Sequence, residues 1–151
     1  MSWSARLAEL GIDLPGVAAP LAAYVPAVRS GSHVYTSGQL PFVQGELAAT
    51  GKVGAEVSPE EAKSHARTCV LNALAAVHAL TGVDSITRVV KVVGFVASAE
   101  GFTGQPAVLN GASELLGEIF GEAGVHARSA VGVAELPLGA PVEIEVIVEV
   151  S

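Results

Sequence analysis

The stretch that decides the fold is Val142-Glu143-Ile144-Glu145-Val146-Ile147-Val148-Glu149-Val150. Successive side chains of a strand point to opposite sides, so Val142, Ile144, Val146, Val148 and Val150 share one face. Glu143, Glu145, Ile147 and Glu149 share the other. The first face is wholly apolar and must be covered, and the valine-rich row is the kind of surface that helices cover. Just upstream, Ala127 to Glu135 reads as a second strand, and the turn Pro137-Leu138-Gly139-Ala140-Pro141 reverses the chain between the two.

Two helices are legible further upstream. Ser58-Pro59-Glu60-Glu61 opens the first: Ser58 is the N-cap, Pro59 stands at the first helical position and Glu61 completes a capping box. Ala62, Ala66, Cys69, Val70, Ala73, Val77 and Leu80 recur at helical spacing until Gly82 stops the run. The second helix spans Pro106 to Phe120 through Val108, Leu109, Ala112, Leu115, Leu116, Ile119 and Phe120. Gly111 and Gly117 interrupt it, which implies close packing at those points. Between the helices, the β-branched run Val89 to Val96 reads as a strand covered on both faces or nearly so.

Nearer the N-terminus, Ala22 to Arg29 and His33 to Ser37 form a hairpin across Ser30-Gly31-Ser32, and Leu40 to Leu47 adds a short strand. Ser4 to Leu10 is a short helix stopped by Gly11, an appendage rather than a core element. Residues 1–20 thus form an N-terminal extension and 21–151 the domain. The order ββ(β)αβαββ defines an α+β fold, a mixed β-sheet with two long helices packed on one face.

The chain has 151 residues, half of them apolar but only 5% aromatic, so Val, Ala, Leu and Ile must build the core. Charged residues make up 15% and the mean hydropathy is +0.52. So little charge points to surface hidden in an oligomer. The longest apolar stretch, Val89 to Ala97, is broken by Lys91 and is far short of the ~20 residues a membrane span needs. Eight basic and 15 acidic residues give a net −7, with the basic ones scattered, which argues against phosphate-backbone binding. The N-terminus lacks the charge and apolar run of a signal peptide, and the single Cys69 can form no internal disulfide; both fit a cytoplasmic protein.

Several apparent motifs dissolve on inspection. Gly45 to Lys52 imitates a phosphate-binding loop, but its spacing is wrong and Val53 replaces the magnesium-binding hydroxyl. Cys69 lies on an apolar helix face, where a thiol is inert. His65 and His78 lie on different sides of their helix, and no metal or cofactor is expected. Ser37 lacks the glycine-flanked elbow of a serine hydrolase. Two features stay open. Arg128, among small apolar residues, is either a solvated strand end or a fixed cation awaiting an anion. Glu143, Glu145 and Glu149 are either a solvated sheet face or include a catalytic carboxylate.

His126-Ala127-Arg128-Ser129-Ala130-Val131, then Glu135-Leu136-Pro137, then Val142-Glu143-Ile144-Glu145 together resemble the C-terminal signature of the Rid family, also called YjgF. Tyr24, Tyr35-Thr36-Ser37-Gly38-Gln39-Leu40-Pro41, Asn72, Val90-Lys91 and Asn110 match it upstream, in order, from about Leu21 to Val150. The resemblance implies a chorismate-mutase-like fold assembled as a homotrimer, with helices outside and ligand clefts between subunits. It further implies that Arg128 binds the carboxylate of a small imine or enamine acid such as 2-aminoacrylate. Glu143 would then position the water that releases a 2-keto acid and ammonia. Tyr24, Ser37, Gly38, Asn110, Ser129 and Ala130 would line the substrate site.

The chain departs from the family pattern at Ala22-Ala23 before Tyr24, at Ala130 where a cysteine is common, at His126 in place of proline and at Ser113 in place of an aromatic residue. Two other readings remain: a trimeric binding or regulatory protein for small carboxylic acids, and the endoribonuclease or translation-inhibitor activity attached to some relatives. The negative charge weighs against the latter.

Overall fold

The computed structural model describes residues 2–17 and 22–151. Its elements in chain order are α1 (Trp3–Glu9), β1 (Ala27–Ser30), β2 (His33–Thr36), β3 (Phe42–Val43), β4 (Glu46–Leu47), α2 (Pro59–Thr81), β5 (Ile86–Ala97), α3 (Gln105–Phe120), β6 (Ala127–Val133) and β7 (Val142–Val150). The main sheet runs β1-β2-β7-β5-β6. Only the β5–β6 pair is parallel, because α3 carries the chain back to the starting end between them. The fold is the α+β arrangement that the sequence implies, with α2 and α3 on one face.

Strand β7 has the limits that its alternation predicts. Val142, Ile144, Val146, Val148 and Val150 are buried beneath the helices, while Glu143, Glu145, Ile147 and Glu149 are only half-buried. Strand β5 follows the same rule: Val89, Val92 and Val96 face the helices, but Val93 and Phe95 on the other side are half-buried. It is therefore covered on one face and not on both. A shift in register between Val89 and Lys91 lets this strand follow its partner.

Helix α2 begins as its sequence dictates. The Ser58 hydroxyl accepts the Glu61 backbone N–H at 3.1 Å and donates to the Glu61 carboxylate at 3.2 Å, a cap of a kind that contributes about 1 kcal/mol. Gly82, at φ +80°, ends the helix. Leu80 falls off the buried face and is 46% exposed, and its neighbours His78 and Ala79 in the last turn of α2 are exposed as well. The close packing expected at two glycines of α3 occurs at one. A Cβ on Gly111 would stand 2.0 Å from the Lys63 carbonyl oxygen of α2, whereas nothing lies within 4 Å of Gly117.

The other differences lie near the N-terminus. Strand β1 starts only at Ala27, and residues 40–47 leave the sheet as a separate hairpin, β3–β4, turning at Gln44 and Gly45 with φ of 52° and 82°. Positive φ at both turn residues is the geometry of a tight hairpin. That turn also disposes of the apparent phosphate loop, since Gly45 sits between strands and not before a helix. Helix α1 is no appendage. Leu7 belongs to the core, the Trp3 ring meets Phe120 edge-on at 5.0 Å, and its indole N–H donates to the Ile86 carbonyl at 2.6 Å. The Ser4 amide and hydroxyl donate to the Asp84 carboxylate at 2.8 and 2.6 Å, holding Asp84 below the usual carboxylate range. The boundary between residues 20 and 21 falls outside the described residues.

Candidate functional site

Arg128 lies on the edge strand β6, opposite Val92 of β5, and points to the helix side of the sheet. There α3 presents Asn110 and Ser113, three residues apart and so on one helix face. The Arg128 Nη1 donates to Asn110 Oδ1 at 2.9 Å and to Ser113 Oγ at 3.2 Å. Ser113 Oγ is also 2.9 Å from His126 Nε2, and His126 Nδ1 is 2.6 Å from the Gly124 carbonyl. Among the described residues, no carboxylate lies within ion-pair distance of Arg128; the pairs are Arg6–Glu9, Lys52–Glu135 and Lys63–Glu114.

Glu143 belongs to a different group. It stands opposite Phe95 on the face that the helices leave open. A Cβ on Gly38 would come within 2.6 Å of its carboxylate oxygen, so the glycine lets the backbone after β2 lie directly against the acid. Partial burial, and then the neighbouring Glu145, push the Glu143 carboxyl above its ordinary range. Ser37, beside Gly38, donates its hydroxyl to the Val25 carbonyl at 2.6 Å and so ties down the segment that carries Tyr24, which is 56% exposed.

The eight residues singled out in the sequence therefore divide in two. Arg128, Asn110 and Ala130 lie on the helix side, with Ala130 packed against the core. Glu143 and Gly38 are in contact at the open face, Ser129 occupies the row of Glu145 on that face, Ser37 precedes Gly38 in the chain, and Tyr24 lies in the segment that Ser37 ties down. Strand β5 separates β6 from β7, and the register sets Arg128 three residues from the row of Glu143. The two lie roughly 10 Å apart across the strands and roughly 10 Å along them, on opposite sides of the sheet. One chain does not bring them together.

Ser113 enters the site as a partner of Arg128, and His126 as a partner of Ser113, roles that the sequence alone does not give them. The signal available was the three-residue spacing of Asn110 and Ser113 on a helix. Elsewhere, Asn72 donates to the Leu40 and Phe42 carbonyls at 3.0 and 3.1 Å and so anchors the β3–β4 hairpin to α2. Cys69 is fully buried, and burial raises its thiol well above the ordinary range, which suits an inert role. A groove of about 690 Å³ lies between residues 13–17, the β3–β4 hairpin and α2, and neither Arg128 nor Glu143 borders it. Among the described residues, no cluster of three or more potential metal ligands occurs, and no helix is long and apolar enough to cross a membrane.

A mixed sheet with two helices on one face, an arginine on its parallel edge strand and a glutamate on its open side define a chorismate-mutase-like α+β protein. The profile of one family, described as "YjgF/chorismate_mutase-like, putative endoribonuclease", matches residues 4–150. The chain belongs to this YjgF (Rid) family. Protein TCP17 of Trypanosoma cruzi is 45% identical over 150 residues, 98% of this chain and 94% of that protein. The structure of Atu1372, a protein of unknown function from Agrobacterium tumefaciens, is 47% identical and superposes with a TM-score of 0.90, covering 99% of this chain and 92% of that one. The structure of E. coli TdcF with bound serine is 27% identical with a TM-score of 0.66, covering 89% of this chain and 94% of TdcF.

Proposed function

We propose that this protein hydrolyses small imine or enamine acids to 2-keto acids and ammonia, in clefts formed between copies of the chain in a homotrimer. The observation that carries this reading is the state of Arg128. Its guanidinium is anchored through one nitrogen to neutral partners, and its remaining N–H groups meet no carboxylate among the described residues. Such a cation is suited to a small planar carboxylate, which arginine grips with two parallel hydrogen bonds. The serine bound to the relative TdcF, a small amino acid, supports a ligand of that size and charge.

In this reading Glu143 of a neighbouring copy completes the cleft, because Glu143 of the same chain lies across the sheet. Its carboxylate accepts a proton as water adds to the C=N carbon. The nitrogen is protonated, the C–N bond breaks and ammonia leaves, so imine acid and water become 2-keto acid and ammonia. A carboxyl lifted above its ordinary range holds a proton more readily, which fits the base that takes one from water. A homotrimer also accounts for the open sheet face and the low surface charge. The ribonuclease reading has the family description behind it, but the net −7 opposes phosphate contacts.

The test is release of 2-keto acid from an imine generated in situ by an amino-acid-deaminating enzyme. The protein should accelerate release, and Arg128→Ala should lower that acceleration by at least about 100-fold, the scale of a lost charge-assisted grip. Saturable binding of 2-ketobutyrate without turnover of any imine would instead make this a binding protein. Unchanged release by Arg128→Ala would remove the arginine from the reaction.

A further inference from the structure

We propose that Ser113 and His126 are positioning residues for Arg128: together they commit the guanidinium to gripping an acid by its Nε–Nη2 edge. The inference rests on the carboxylate-clamp reading above and adds to it the direction of the grip and the residues that set it.

The Gly124 carbonyl can only accept, so His126 Nδ1, 2.6 Å away, carries a proton and donates it. In the neutral ring Nε2 is then an acceptor, and the Ser113 hydroxyl at 2.9 Å donates to it. With its single proton turned toward His126, Ser113 Oγ offers only lone pairs to its other neighbour, Arg128 Nη1 at 3.2 Å. Asn110 Oδ1 accepts from the same Nη1 at 2.9 Å. Nη1 has two protons and both are now taken. A guanidinium can hold a carboxylate end-on through Nη1 and Nη2 or side-on through Nε and Nη2, and here the end-on edge is closed.

Each member of this chain has a distinct part. Asn110 fixes one Nη1 proton, Ser113 the other, and His126 fixes the orientation of Ser113. Without the Ser113 hydroxyl, Nη1 regains a free proton and the guanidinium can turn between two edges. A ligand then has to select one orientation at a cost in affinity.

The experiment uses the full chain, 2-ketobutyrate as probe, calorimetry for affinity and the Arg128 Nε–H resonance, assigned with Arg128→Lys, for the direction of the grip. Ser113→Ala should weaken binding about tenfold and diminish the ligand-induced shift of the Nε–H signal. Ser113→Thr, which keeps the hydroxyl, should recover affinity to within about threefold of the original. His126→Ala, which releases Ser113, should cost a smaller factor. It also carries the test if Ser113→Ala fails to fold. Unaltered affinity and an unaltered Nε–H shift in the folded variants would overturn the positioning role and leave the clamp intact. Equal losses in Ser113→Ala and Ser113→Thr would reduce Ser113 to packing. If the unsubstituted protein binds no 2-ketobutyrate, or Arg128→Ala binds it normally, the clamp itself fails and the inference falls with it.

Discussion

The two faces of the central sheet are built from the same strands and end in opposite conditions. On the helix side, Ile144, Val146 and Val148 of β7 are closed over by α2, and Gly94 of β5 lies so near Leu109 of α3 that a Cβ would stand 2.1 Å from its side chain. On the other side, Glu143, Glu145 and Ile147 alternate with them residue by residue but are only half-buried, and Tyr35 and Val131 are exposed. The closed face uses its residues for stability. The open face carries apolar area together with clustered carboxylates, a combination that a fold keeps for contact and chemistry rather than for its own core.

Shortening the same side chain on each face separates the two conditions most widely. Ile144→Ala should cost about 4 kcal/mol in urea unfolding, independent of protein concentration, since it opens a cavity in a closed layer. Ile147→Ala should cost about 1 kcal/mol in dilute solution, with a loss that grows with concentration if the proposed homotrimer covers the face. Equal losses at all concentrations would mean that the two faces do not differ. Next in size, Gly111→Ala drives a methyl group into the Lys63 carbonyl and should cost about 3 kcal/mol by forcing α2 and α3 apart. Full stability in that variant would show that the helix layer can yield.

The smallest effect concerns charge on the open face. Burial raises the Glu143 carboxyl, so the folded protein disfavours its charged form relative to the unfolded chain. The penalty is present above the raised value and gone below the unfolded one, about 4.3. Glu143→Gln should therefore raise Tm at pH 7 by a few degrees at most, and the gain should shrink to nothing as the pH falls below about 4. A lower Tm at pH 7 would mean that the charged carboxylate is favourably held.

Much of this was legible in the amino-acid sequence because local rules governed it. Alternation set β7 from Val142 to Val150, and the Ser58 cap and Gly82 stop set α2. The β3–β4 hairpin was not, since its signal is only Gln44-Gly45 in left-handed backbone, within a run that otherwise resembles a single strand. The docking of α1 depends on Trp3 meeting Phe120, a pairing that no short-range pattern encodes. In the candidate site, Arg128 and Glu143 stood out by residue type and motif. Their placement on opposite faces follows from β5 lying between β6 and β7 and from the pairing register, neither of which is written locally. Ser113 looked like a mere departure from pattern until the fold brought His126 and Arg128 to its hydroxyl.

Trp3 has one more consequence. It is the only tryptophan in the chain, and it is fastened to Ile86 and Phe120 through the helix at the extreme N-terminus. The intrinsic fluorescence of the protein is thus an optical gauge of one joint. Its emission will follow release of that helix from the body, while circular dichroism follows the sheet and the long helices. Any interval between the two transitions measures how far the N-terminal joint lets go before the rest.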